Sequence, residues 1–252
     1  MKSFIIHLVL ILAVSMTAGI KDQTYNYISG HEFVEMGDGL KWAACNVGAN
    51  RPEEFGDYFS WGETSTKKDY RWETYKWMQE GESEWNGITK YTIRDGMHEA
   101  LWYKKAPEDS TSFIFVGDGQ SELSREDDAA TANWGGTWRT PTAKEWRRLM
   151  NQKKYSWRWT TINGVSGVKI TSKVRGYLGN SIFLPAAGGY DGEKLDGKER
   201  GGYYWSSSLS YGNSDTAFDL GFTIKEKGIR RRIIDLGPDF RLYGLSVRPV
   251  SD

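Results

Sequence analysis

Polar and apolar residues alternate at two different periods along this chain, and the change of period divides it. From Trp157 onward the period is two. "WRWTTI", "GVKITS", "NSIFLPAAGG", "GGYYWSSSLS", "TAFDLGFTI", "GIRRRIIDLG" and "YGLSVRPV" succeed one another, each bounded by Gly, Pro, Asn or Asp. That pattern predicts a series of strands. Near the start, "EFVEMGDGLKWAACNVGA" predicts a hairpin, with Phe33–Met36 and Leu40–Ala43 on either side of the turn Gly37-Asp38-Gly39. "FGDYFSWGE" predicts one more short strand. Between Thr64 and Pro107 no period holds, and the segment reads as a long, partly ordered excursion studded with aromatics.

Helical spacing occurs only in the middle. "SREDDAATANWGG" predicts a short helix with Ser124 as its cap, acidic residues in its first turn and Gly135 as its stop. "TPTAKEWRRLMNQKK" predicts the clearest helix. Pro141 suits its first turn, Thr142 and Glu145 have capping-box spacing, and Trp146, Leu149 and Met150 form the apolar stripe. The junction "NWGGTWRTPTAKEW" is then a hinge between two helices, with Trp138 entering the core. Two helices between earlier and later strands make one α+β domain, with no repeat and no linker.

The first residues change the setting. Lys2, an apolar run from Phe4 to Val14 and then small residues match a secretory signal peptide, residues 1–19, cut near Gly19. The run is shorter than the ~20 apolar residues a bilayer requires. No cysteine follows it, so export without a lipid anchor is expected. Residues 20–31 are polar and read as a flexible N-terminal segment, and residues 32–252 as the single domain.

Composition narrows the chemistry. Lys plus Arg and Asp plus Glu number 33 each, and this balance argues against a nucleic-acid partner. The 36 aromatic residues, 12 of them Trp, favour strands and large buried side chains. The single cysteine, Cys45, can form no internal disulfide and reads as a small buried hydrophobe. Beyond the signal, only His31 and His98 remain, so a Cys/His zinc site cannot be assembled. No "GxSxG" elbow occurs. "GEKLDGKE" has the glycine spacing of a phosphate loop, but Glu199 stands where Ser or Thr must hold magnesium.

Four groups of residues remain as candidates. Arg230 and Arg232 share one face of a strand in "IRRRII". Glu126, Asp127 and Asp128 offer oxygens to calcium, although a helix N-terminus accounts for them without a metal. Trp72, Trp77 and Trp85 could stack on sugar rings without a metal, although core is the plainer reading. Tyr190, Asp191, Tyr211, Asn213 and Asp215 are polar or aromatic residues in turns or on exposed strand faces.

In order, "LKWAACNVGANRPEEFGDYFSWGET", "YRWETYKW", "EDDAATANWGGTWRTPTAKEW", "GNSIFLPAAGGY", "GGYYWSSSLS" and "YGLSVRPV" resemble the Fibrobacter succinogenes major paralogous domain family of exported bacterial proteins. The likeness runs from about Phe33 to Val250. "WRTPTAKEW" and "YGLSVRPV" are also similar to the helix entry and closing strand of C-type-lectin-like domains. The resemblance implies a C-type-lectin-like fold in which first and last strands pair, two helices flank the sheets and a long loop region carries function. Relatives often have a second cysteine before the Trp-x-Trp strand, and here Tyr155 aligns with it. The calcium-binding "EPN", "QPD" and "WND" triplets of sugar-binding members are absent. So are the cysteine pair and histidine cluster of the enzymatic members.

The expected function is therefore a non-enzymatic, exported recognition or adhesion module for an extracellular protein or glycan. Tyr190, Asp191, Tyr211, Asn213, Asp215, Arg230 and Arg232 are its expected contact residues. A calcium-independent sugar-binding module using Trp72, Trp77 and Trp85, and a carboxylate-dependent enzyme, are the alternatives. No cofactor is expected, with calcium at residues 126–128 as the one exception weighed.

Overall fold

The computed structural model describes residues 26–109, 111–224 and 234–252. The opening strands are β1 (Tyr27–Ile28), β2 (His31–Glu35), β3 (Lys41–Ala43) and β4 (Tyr58–Phe59). The excursion holds two single 3₁₀ turns, at Trp72–Thr74 and Trp85–Gly87. It continues into a two-stranded ribbon, β5 (Tyr103–Lys105) and β6 (Phe113–Phe115). Helices α1 (Ala129–Trp134) and α2 (Ala143–Leu149) come next. Then come β7 (Tyr155–Ile162), β8 (Val165–Ser172) and β9 (Ser181–Pro185), a three-stranded sheet. A small ribbon pairs β10 (Gly189–Asp191) with β11 (Lys194–Asp196). The last strands are β12 (Gly201–Leu209), β13 (Thr216–Thr223), β14 (Ile234–Phe240), β15 (Leu245–Ser246) and β16 (Val250–Ser251).

The architecture is α+β, mostly sheet, and every pairing between these strands is antiparallel except β12 with β15. The five-stranded sheet has the order β14-β13-β12-β15-β4, and a second sheet runs β1-β2-β3-β16. The closing strand β16 thus pairs with the opening hairpin, Val250 opposite Trp42. Because neighbouring strand residues face opposite ways, the five-stranded sheet has a core on each side. Tyr204 and Leu220 join Trp42, Trp146, Tyr155, Ile170 and Val250 in one. Trp205 and Ala217 join Phe59, Trp61, Tyr91 and Val247 in the other.

Among the described residues two arginines are wholly buried, and neither is held by a carboxylate. Arg248 donates through Nε to Asn46 Oδ1 (2.9 Å) and through its two other nitrogens to the carbonyls of Ala43, Ala44 and Phe183. Arg241 donates to Tyr75 Oη (2.9 Å) and to the carbonyls of Tyr91, Ser214 and Lys90. Its guanidinium also lies over the Trp61 ring at 4.9 Å. The second arginine thereby ties the excursion to the sheet, which supplies order that no local period could foretell.

The expected hairpin, the period-two strands and the capping box are present. Thr142 Oγ1 accepts from Glu145 N, and the Glu145 carboxylate accepts from Thr142 N (2.8 Å). Trp138 is buried as expected, with Nε1 donating to Ile28 O. Three local readings need correction. Residues 26–31 are not loose: β1 pairs with β2, and His31 stacks flat on Trp134, 3.7 Å between centroids. Ser124 begins only a 3₁₀ turn; Asp128 caps α1 by accepting from Thr131 N (3.0 Å). Pro141 precedes the α2 cap instead of sitting in its first turn, and α2 ends at Leu149, short of the lysines. The signal segment and Arg230 and Arg232 lie outside the described residues.

Candidate functional site: an acidic aromatic cleft

The β10–β11 ribbon leaves the end of β9 and folds back over the five-stranded sheet. Backbone bonds pin it there: Tyr190 N donates to Gly244 O (2.8 Å) and Gly244 N to Tyr190 O (3.0 Å). Gly244 is required at this point, because a Cβ would stand 2.4 Å from the Tyr70 ring. Tyr70 in turn stacks on Tyr190, 5.1 Å between centroids, and Tyr58 meets Tyr190 edge-on at 5.0 Å. The ribbon is therefore held by an aromatic stack on its inner side.

Between ribbon and sheet lies a cleft of about 280 Å³. Tyr190, Tyr203 and Tyr243 give it aromatic walls, and Asp191, Asp196 and Asp239 give it carboxylates. Leu245 and two glycines complete the lining, with no Lys or Arg among its residues. Arg200 pairs with Asp196 at 3.2 Å, both side chains being exposed. Burial raises the Tyr203 and Tyr243 hydroxyls above the usual phenol range, reinforced at both by Asp239, so both remain proton donors.

The sheet beneath the cleft carries an unusual pair. Asp219 of β13 is opposite Gly237 of β14, and Asp239 is two residues further along β14. Opposed residues in an antiparallel pair share a face, so the two carboxyls are diagonal neighbours. Gly237 has nothing within 4 Å of the place where a Cβ would be, so open space adjoins Asp219. Asp219 is 4% exposed, and among the described residues no other side chain donates a hydrogen bond to it. Burial, then the charge of Asp239, raises its pKa well above the carboxylate range. Burial raises Asp239 to about 6. Both carboxyls therefore give up their protons at a higher pH than isolated ones do.

Of the residues expected from sequence, Tyr190 and Asp191 line this cleft. Tyr211, Asn213 and Asp215 do not; they belong to the β12–β13 turn, with Tyr211 81% exposed and Asp215 O accepting from Arg241 N. Tyr203, Tyr243, Asp196, Asp239 and Asp219 were not foreseen. One signal was available: Asp219 is the lone charge in the apolar strand "TAFDLGFT".

The other candidates have their groups engaged elsewhere. Trp77 donates from Nε1 to Gly62 O, and the ammonium groups of Lys76 and Lys90 lie over its ring at 4.3 and 4.7 Å. Trp72 packs edge-on against Tyr75 and Phe240, and Trp85 against Trp102. Asp127 receives Lys76 Nζ (3.0 Å), Lys90 Nζ (2.6 Å) and Tyr91 Oη (2.7 Å). Asp128 receives Thr131 N, Thr140 N and Thr140 Oγ1. Glu126 lies 3.8 Å from Lys90 Nζ. Asp127 and Asp128 thus accept several hydrogen bonds while Glu126 is largely exposed, and no group of three or more His, Cys, Asp or Glu is gathered for a metal among the described residues. Cys45 is a buried free thiol directed at Ala49 O (3.2 Å), its pKa raised chiefly by burial. No helix among the described residues is long and apolar enough to cross a membrane.

Compared with protein-family models, with curated proteins and with solved structures, the chain matches none.

Proposed function

We propose that this chain is an exported, non-enzymatic recognition module of the Fibrobacter paralogous-domain type, built on a C-type-lectin-like scaffold, and that it captures its ligand in the acidic aromatic cleft. The single observation that carries this reading is the cleft itself: three tyrosines and three aspartates, drawn from β10–β11, β12, β14 and the segment before β15, around one open volume. The pairing of β16 with the opening hairpin supports the scaffold assignment. The chemistry fits a cationic group, with ring faces for its charge and alkyl stem and carboxylates at its end. A lysine or arginine side chain of an extracellular protein has that shape.

The test is a calorimetric titration with N-acetyl-lysine amide and N-acetyl-arginine amide, with N-acetyl-glutamine amide and glucose as controls. Saturable binding of the cations alone is expected, lost in Tyr243→Ala and in Asp191→Asn. Binding of glucose in place of the cations would transfer the site to glycans. Absence of all binding by folded protein would overturn the proposal.

One observation favours a second reading, a carboxylate-dependent hydrolase. Asp219 and Asp239 have the raised pKa values and proximity of an acid–base pair. Turnover of aryl glycosides that vanishes in both Asp219→Asn and Asp239→Asn would establish it.

A further inference from the structure

A second cavity lies where α2 ends and β7 begins. It has a volume of about 280 Å³ and is lined by Gly37, Asp38, Arg148, Asn151, Lys154 and Tyr155. It shares no residue with the acidic cleft, and its chemistry does not depend on the function proposed for that cleft. Tyr155 is 1% exposed, and its hydroxyl has no hydrogen-bond partner. A buried hydroxyl without a partner forgoes a bond whose loss is seldom tolerated without a reason. Tyr155 lines this cavity, and the charges of Asp38 and Arg148 both act on its hydroxyl.

The rest of the wall is cationic. Arg148 and Lys154 are exposed side chains at the mouth, and neither forms an ion pair with a carboxylate among the described residues. Asp38 opposes them, but its own oxygens are engaged: Oδ1 accepts from Leu40 N (3.2 Å) and Oδ2 from Trp42 Nε1 (2.9 Å). Two cations against one carboxylate leave a single positive charge in the lining. The end of a helix ordinarily repels anions through its free carbonyls. Here that effect is blunted, because Trp146 O and Arg148 O accept from Met150 and Asn151 N, and Leu149 O accepts from Trp157 Nε1 at 2.8 Å. A tyrosine whose hydroxyl has no partner, a guanidinium, an ammonium and an amide thus line one cavity.

We infer that this cavity binds a monovalent carboxylate, which takes the Tyr155 hydroxyl and the Arg148 guanidinium as its two principal donors, with Lys154 and Asn151 at the mouth. One net charge matches one carboxylate. A uronic acid and a peptide C-terminus present the same group, and the experiment separates them. Glucuronate and N-acetylglycine are titrated into ¹⁵N-labelled protein at constant ionic strength, with glucose and N-acetylglycinamide as the neutral counterparts. The Arg148 Nε–H and Asn151 side-chain amide resonances are followed. A saturable shift with a carboxylate but not with its neutral counterpart is expected, and the tighter of the two acids names the source.

Tyr155→Phe deletes only the hydroxyl and should weaken binding about tenfold or more, the usual consequence of losing a bond to a charged group. Its melting temperature should be unchanged or higher, since the hydroxyl has no partner to lose. Arg148→Gln, at an exposed position, should weaken binding to a similar degree in a protein that still folds. Equal shifts with the neutral compounds, no saturation, or undiminished affinity in both variants would overturn the inference.

Discussion

Asp127 and Asp219 are 2% and 4% exposed, and each occupies a region rich in aromatic rings. At Asp127 the excursion and the entry to α1 bring in two ammonium groups and a tyrosine hydroxyl. Burial pushes its pKa up, those three donors pull it down further, and the net result is a carboxylate below its ordinary range. At Asp219 the partners are another carboxyl, Asp239, and the empty side of Gly237. There burial prevails and the acid resists ionisation. Equal burial therefore does not decide what a carboxyl group does; its donors do. A buried charge whose donors are supplied is a joint of the framework; one whose donors are withheld, beside open space, is a place for something else to bind.

The widest separation between the two regions should come from Trp138→Ala, next to the Asp128 cap. It removes a fully buried indole and should cost about 3–5 kcal/mol in urea unfolding. A loss below about 1 kcal/mol would show that the helix junction is not a joint. Asp127→Ala should cost about 2–3 kcal/mol, less than a fully buried ion pair because Lys76 and Lys90 reach solvent. Asp239→Asn, in the other region, should have the opposite sign. At pH 7 it should stabilise the protein by about 1–2 kcal/mol, since a carboxyl held near pKa 6 opposes folding once it ionises. Destabilisation by that variant would erase the contrast.

The finest test is the pH dependence of that last difference. A folded pKa above the unfolded value near 4 means the folded state holds the extra proton. The contribution is full below that value and is lost as pH rises through about 6. Stability of the native protein relative to Asp239→Asn should therefore fall from pH 4 to pH 7, by less than about 1 kcal/mol per pH unit. Asp235, Asp196, Asp191, Tyr203 and Tyr243 are kept in both proteins, so the comparison isolates the pair. A flat difference would show that Asp239 is not held above the ordinary carboxylate range.

Local chemistry was readable where it is complete within a few residues. Thr142 and Glu145 cap each other, so spacing alone announces α2. The Gly37-Asp38-Gly39 turn and its flanking strands are similarly self-contained. Order that comes from a distance was not readable. Residues 26–31 look polar and free, yet Trp138 and Trp134, more than a hundred positions on, hold Ile28 and His31. Asp128, which caps α1 in place of Ser124, is also held by Thr140, twelve residues later. The cleft obeys the same rule. Tyr190 and Asp191 sit in a glycine-marked ribbon and could be picked out singly. Tyr203, Asp239 and Tyr243 become neighbours of that ribbon only once β12, β14 and β15 have paired.

Arg241 and Arg248 have a consequence for the order of assembly. Arg241 reaches back 151 positions to Lys90, and Arg248 reaches back 205 to Ala43. As the chain leaves the ribosome, the opening hairpin and the excursion are made long before the groups that fasten them. Their carbonyls must wait, hydrated, until the last strands arrive. Such distant closures make for slow, late and all-at-once folding. In a chain exported as proposed, which would cross a membrane before it folds, that lateness is an advantage.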